Sequence, residues 1–200
     1  WRAWGRALVL GSLLVVLSNG GVTWAETRVP SGLAALGIAT VSPWLVVLDA
    51  LRPGGRRPSV LTVLGVLVGI AGVGSLVDPQ ATPDLPAFAV LLAAAFAFAL
   101  GSTLSRVYPE DGPPIAIAAR QMLAGGGMLV VAAVGFRETI DPSAVSALSV
   151  GAVLWLALFG SIAGFTVYSW LVQVAPPAVV GTYSCANPIV ALALGAWLAN

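Results

Sequence analysis

Seven apolar runs, each long enough to cross a bilayer as a helix, dominate this sequence of 200 residues. A spanning helix needs about 20 mostly apolar residues. Gly5–Glu26, Pro30–Leu51, Ser59–Val77, Leu85–Tyr108, Pro113–Gly135, Ala144–Gln173 and Pro176–Ala199 meet that measure, and the connections between them are short. Charged residues make up only 8% of the chain, against roughly 25% in a soluble domain. Mean hydropathy is +0.97. A chain this short cannot hide so much apolar surface inside itself, because a small globule leaves a large fraction of its surface wet. Lipid is the expected solvent. A membrane β-barrel would alternate polar and apolar residues, which Leu61–Val68 does not. The expected fold class is an all-α integral membrane protein with seven transmembrane helices.

Seven crossings force the loops to alternate sides. One side collects Arg2, Arg6, Arg52, Arg56, Arg57 and Arg106; the other collects Arg28 and Arg137, together with Asp78, Asp84, Glu138 and Asp141. The positive-inside rule then places the N-terminus and the Arg52–Arg57 loop in the cytoplasm, and Asn200 outside. The chain opens at Trp1 without Met and stops at Asn200 with no tail after the last span. It therefore reads as a piece of a longer membrane protein. Trp1, Trp4, Trp24, Trp170 and Trp197 lie near span ends and suit an interfacial belt, whereas Trp44 and Trp155 lie deeper and read as packing.

The inventory excludes several chemistries. There is no His and no Lys, so imidazole catalysis, His-ligated metal and a Lys Schiff base are all unavailable. Cys185 stands alone and cannot form an internal disulfide. Net charge is +1, which offers no footprint for nucleic acid. No enzyme activity, cofactor or metal is expected; the expected partners are a small-molecule substrate and the lipid bilayer. The sequence leaves oligomeric state open.

Inside a membrane the polar residues carry the information, because each costs free energy unless a partner or water satisfies it. In the first span Ser12, Asn19, Thr23 and Glu26 fall at i, i+7, i+11 and i+14, one face of a regular α-helix. The stripe reads either as the wall of a water-filled cavity, with Glu26 at its outer mouth, or as ordinary structure. In the second case Asn19 bonds a neighbouring helix, worth about 1 kcal/mol, and Glu26 is a solvated helix end. In the last span Tyr183 and Asn187 share a face at i, i+4. Pro188 frees the carbonyl of Ser184, which either presents polar groups to a substrate, as interrupted helices do, or only shapes packing. Pro43 frees the carbonyl of Ala39 in the same way, close to Thr40 and Ser42.

Arg120 lies seven residues beyond Pro113, about 10 Å along the axis. It either faces the interior or snorkels back to the headgroups, while Gln121 points about 100° away. In the sixth span Tyr168 shares a face with Ser161 and Phe165, and Ser169 and Gln173 line another. Gly65-x-x-x-Gly69, Gly160-x-x-x-Gly164 and Gly125-Gly126-Gly127 read as close helix approaches.

The first two spans and the last two share a construction: a polar-bearing helix, a short turn with proline, then a helix interrupted by proline. At an offset of 146 residues Trp24 aligns with Trp170, Pro30 with Pro176 and Ser42 with Pro188. The first pair starts inside and the last pair starts outside, the relation of an inverted repeat, which secondary transporters use.

The stretch Ser18-Asn19-Gly20-Gly21-Val22-Thr23-Trp24-Ala25-Glu26, followed by Val29-Pro30-Ser31-Gly32-Leu33-Ala34-Ala35, resembles the third and fourth helices of bacterial EamA-type permeases of the drug/metabolite transporter superfamily. Leu158-Phe159-Gly160-Ser161-Ile162-Ala163, then Tyr168, then Thr182-Tyr183-Ser184 and Asn187-Pro188-Ile189-Val190-Ala191 resemble that family's eighth and ninth. The resemblance implies a ten-helix bundle of two inverted five-helix repeats, of which residues 1–77 are the last three helices of the first repeat and 85–200 the first four of the second. It implies a permease of the bacterial inner membrane that moves small metabolites, amino acids or drugs, usually outward, through a central cavity. By position, Asn19, Ser42, Tyr168, Tyr183 and Asn187 would face or border that cavity. The family's fourth-helix proline stands at the position of Ser42, one place before Pro43, and the position of Arg120 is usually apolar.

With Thr23 from the polar stripe and Arg120 as a candidate contact for an anionic substrate, the expected substrate-binding residues are Asn19, Thr23, Ser42, Arg120, Tyr168, Tyr183 and Asn187. The expected function is secondary transport by alternating access. A membrane-embedded receptor or assembly subunit that binds without transporting is the rival from another class. The inverted pairing and the prolines in corresponding spans favour the transporter. No Asp or Glu stands at the middle of a span to announce proton coupling.

Overall fold

The computed structural model of the chain describes residues 2–52, 54, 55, 57–75, 84–138 and 145–198. Trp1, Pro53, Arg56, Val77, Asp78, Asp141, Ala144, Ala199 and Asn200 lie outside the described residues, as do the side chains of Arg2, Pro188 and Trp197. Among the described residues seven helices follow one another: α1 (Ala3–Glu26), α2 (Ser31–Leu51), α3 (Val60–Gly74), α4 (Leu85–Val107), α5 (Pro114–Gly135), α6 (Ala147–Val174) and α7 (Pro177–Leu198). Among the described residues there is no strand. Five helices, α1, α2, α4, α5 and α6, are long and apolar enough to cross a membrane, and α3 is a shorter apolar helix of 15 residues. Each apolar run of the sequence becomes one helix, with ends shifted by three residues at most.

The starts follow local chemistry. The side chains of Ser59, Asp84 and Ser146 accept the N–H groups of Thr62, Ala87 and Ser149, satisfying donors that a first helical turn leaves orphaned. Pro30 and Pro113 stand just before α2 and α5, where their carbonyls accept from Ala34 and Ile117. Their missing N–H groups cost nothing there.

Helix α4 is the hub. It packs against α1, α2 and α6, while α5 lies along α1, and α7 lies along α2. Small side chains make this possible: Ala94, Ala95, Ala97, Ala99, Gly101 and Ser102 are all buried, and small residues let backbones approach where lipid supplies no hydrophobic drive. Backbones approach closely where α1 meets α5. A Cβ added at Gly11 would lie 2.7 Å from the carbonyl oxygen of Gln121, and one at Gly125 would lie 2.5 Å from the Cβ of Val15. Gly69 similarly faces Cys185 of α7, whereas Gly65, Gly126 and Gly127 meet nothing within 4 Å. Only one glycine in each of those two motifs makes a close approach.

Three helices depart from regularity. Thr40 divides α2 into Ser31–Ala39 and Val41–Leu51. Its N–H bonds the Gly37 carbonyl and its hydroxyl reaches the same oxygen, as expected where Pro43 cannot bond Ala39. The other proline behaves differently: α7 runs helical through Pro188 from Pro177 to Leu198, so the interruption expected there is not a break. Helices α1 and α6 each contain a π-wound stretch, Ser12–Gly20 and Leu156–Phe165. Such wide turns are rare and collect at functional sites.

Candidate functional site

Between α1, α4, α6 and α7 lies a cavity of about 440 Å3. Asn19 enters from α1 and Phe98 from α4; Gly160, Gly164, Phe165, Tyr168 and Leu171 come from α6, and Tyr183 and Asn187 from α7. Four of the seven residues singled out in the sequence thus meet on one wall or another of the same space. Tyr183 and Asn187, four apart on α7, act on one face as their spacing requires. The wall carries no formal charge.

The aromatic groups form a connected floor. Tyr168 and Phe98 lie 5.0 Å apart between ring centroids, and Tyr183 meets Tyr168 edge-on at 5.6 Å. The Tyr168 hydroxyl is 2.6 Å from Oγ of Ser102. Ser102 donates its own proton to the Phe98 carbonyl at 2.7 Å, and a hydroxyl has only one proton to give. Tyr168 is therefore the donor in the pair, fixed in orientation by α4. Beneath it Val41, Leu45, Ala95, Ala99, Val172 and Val180 pack together. At that level lies a space of about 10 Å3, lined by Asp49, Ser102, Arg106 and Pro177 among others. Toward the Arg-rich end this packed layer borders the cavity, through Phe98, Tyr168 and Leu171. Its opposite side adjoins a second cavity of about 480 Å3 lined by Glu26, Val29, Ser31, Ala34, Ala35 and Ile38, and Asn187 belongs to both.

Three expected residues stand elsewhere, each for a physical reason. Thr23 is exposed on α1 and lines neither space. The face assigned to it presumed 3.6 residues per turn throughout, and the π winding of Ser12–Gly20 breaks that phase. Ser42 is buried against α7, with its Oγ 2.5 Å from the Gly181 carbonyl oxygen and 2.8 Å from Oγ of Ser184. The break at Thr40 turns it toward Gly181, where it joins two helices and lines neither of these two cavities. Arg120 bends back to the α4–α5 connection, and its guanidinium lies 3.2 Å from a carboxylate oxygen of Glu110. Gln121 donates to the other Glu110 oxygen at 2.9 Å. Two side chains whose helical directions diverge by about 100° converge on one carboxylate, because the connection folds back over the helix end. Arg120 is thus a snorkelling residue with a protein partner, away from the candidate cavity.

Sequence reasoning missed Ser102 and Phe98. Both were visible as a polar and an aromatic residue one turn apart on α4, but nothing in the pattern announced that this helix is the hub. It also read Gly160 and Gly164 as helix-packing residues. The structure instead sets both on the cavity wall, where their missing side chains leave room; a Cβ on Gly160 would meet nothing closer than 3.9 Å. Glu110 was legible as an acidic residue on the side that collects the arginines.

Comparison with known proteins bears on what such a cavity serves. Residues 85–200 match the model of the EamA-like transporter family. The chain is 36% identical over 198 residues to the uncharacterized inner membrane transporter YedA of Escherichia coli K12, a match covering 96% of this chain and 62% of the relative. The same protein of Escherichia coli O6:H1 and of O157:H7 matches equally. The chain therefore spans less than two thirds of the length of these relatives. No solved structure matches it.

Proposed function

The chain belongs to the EamA-like transporter family, and from that premise we propose that it supplies the substrate cavity of a bacterial inner-membrane secondary transporter. The proposed cargo is a small metabolite, amino acid or drug, moved by alternating access with no covalent step. The observation that carries this reading is the meeting of Asn19, Tyr168, Tyr183 and Asn187 around one uncharged cavity that four helices line. Residues of that kind, placed deep in spans, orient a solute without holding it too tightly to release.

In this reading the structure is closed toward the Arg-rich end and open toward Glu26. The six-to-two arginine bias makes the closed end cytoplasmic, with the N-terminus on that side. The Tyr168–Ser102 bond and the apolar layer below it are the barrier that must part in the alternate state. Residues 1–77 and 85–200 would be parts of two inverted five-helix repeats in a ten-helix protein. The π-wound stretches support that relation: the offset of 146 residues carries 12–20 onto 158–166, and the second stretch occupies Leu156–Phe165.

The test is flux through proteoliposomes of the full protein with a panel of radiolabelled amino acids and cationic dyes. Losing one substrate hydrogen bond costs about 1–2 kcal/mol, roughly five- to thirtyfold in affinity. Asn187→Ala should lower flux of the transported solute by that order while thermal unfolding in detergent is unchanged. Flux equal to wild type would remove Asn187 from the site.

A further inference from the structure

A second concave site lies at the Arg-rich end. It is a basin of about 360 Å3 lined by Asp49, Arg52, Arg57, Ser59, Thr62 and Arg106, with Pro176, Pro177 and Ala178 closing one side. Four parts of the chain converge there: the end of α2, the start of α3, the end of α4 and the turn into α7. The charge balance is uneven. Asp49 is committed to Arg52, and Arg106 donates to the Ala175 carbonyl at 2.6 Å, which fixes its guanidinium at the rim. Glu110 is engaged by Arg120 and Gln121. Among the described residues the two ion pairs include neither Arg57 nor Arg106, so three guanidinium groups face one carboxylate. The first turns of α3 and α7 open on the same space and add the positive ends of their dipoles.

We propose that this basin binds an oxyanion, a phosphate or phosphate-ester group, held by Arg57, Arg106 and the free side of Arg52. A planar guanidinium matches an oxyanion in two parallel hydrogen bonds. Converging like charges repel one another until an anion sits among them, so the arrangement is explained by a ligand of opposite sign. The site is separate from the uncharged cavity, with the Ser102–Tyr168 level between them, and its occupancy does not depend on the transport reading. The same chemistry is offered by an anionic phospholipid headgroup of the cytoplasmic leaflet and by a free phosphate compound.

The experiment uses the full protein in nanodiscs. In neutral phosphatidylcholine discs, inorganic phosphate is titrated while thermal unfolding is followed; a second set of discs contains phosphatidylglycerol. A ligand that binds only the folded state raises the unfolding temperature in a saturable way. Arg57→Gln removes a donor that bonds no other residue among those described, and should weaken the response about tenfold without altering unfolding in the absence of anion. Arg106→Gln is the second variant, although it also releases the Ala175 carbonyl. A saturable, Arg57-dependent response to phosphate in neutral discs establishes a soluble-anion site. A response confined to phosphatidylglycerol, lost in Arg57→Gln, establishes a headgroup site. Stabilisation that is linear in phosphate and equal in Arg57→Gln is the general salting effect and overturns the proposal, as does the lack of any response.

Discussion

Helices α4 and α6 are nearly equal in hydropathy, yet they have opposite surroundings. In the most apolar window of α4, 44% of residues are buried inside the protein; in that of α6 the share is 6%. Hydropathy says only that neither helix belongs in water. What separates them is side-chain size. Apart from Leu91, the buried face of α4 is alanine, glycine and serine, which let three helices crowd around it. The first half of α6, Ala147–Trp155, buries none of its residues and carries Leu148, Val153, Leu154 and Trp155 outward. Its second half turns Phe165, Tyr168 and Val172 back toward α4. The contrast places the candidate cavity where the two kinds of surface meet.

The largest effect should come from crowding the hub. Ala99 is fully buried among Val41, Leu45, Val172 and Val180, so Ala99→Leu forces three extra carbons into a packed layer. Overpacking of this kind costs about 1–3 kcal/mol, and the upper end is expected at zero exposure. Denaturant unfolding in mixed micelles measures it. A loss under about 0.5 kcal/mol would mean that α4 is no more confined than α6.

Next comes the connection by which α4 leaves the hub. Arg120→Leu removes the partner of Glu110, whose side chain is 3% exposed, leaving Gln121 as its remaining side-chain partner. Stranding a buried carboxylate costs about 3–5 kcal/mol when the pair is fully enclosed; with Arg120 itself a quarter exposed, about 2 kcal/mol is expected. Substrate affinity should not change, because Arg120 lies outside the cavity. A weakened affinity for acidic solutes alone, with stability intact, would return Arg120 to the site.

The third effect sits on the seam between the two helices. Tyr168→Phe keeps the ring stack with Phe98 and Tyr183 but deletes the proton given to Ser102. Ser102 retains its bond to Phe98, so no donor is stranded and about 1 kcal/mol is expected. A double-mutant cycle with Ser102→Ala should show coupling of that size. Coupling near zero would mean that the two helices meet through ring packing alone.

The sequence made the helices legible because length and apolarity alone specify them in lipid. It also made Tyr183 and Asn187 legible as one face, since α7 is regular. The same periodicity misled at Thr23, where π winding changes the phase, and at Ser42, where a missing proline N–H shifts the break to Thr40. Arg120 could not be placed because its partner, Glu110, reaches it through a fold of the connection that no helical repeat encodes. Legibility ended wherever backbone geometry departed from 3.6 residues per turn. Two of those departures, the π-wound stretches of α1 and α6, border the cavity.

The smallest expected effect is also the sharpest probe of the comparison. Leu154 on the outer half of α6 is 57% exposed. If lipid covers it, Leu154→Ala exchanges one apolar neighbour for another and should cost under about 0.5 kcal/mol, as peripheral substitutions do. If protein covers it in the assembled transporter, the same change opens a cavity and should cost about 2–5 kcal/mol. Unfolding of the full protein in nanodiscs separates these ranges cleanly. The small value would make α6 a true boundary helix, with α4 inside and lipid outside. A large one would mean that the low burial of α6 marks a second packing face, and that the distinction between the two helices lies in which neighbours they meet rather than in their solvent.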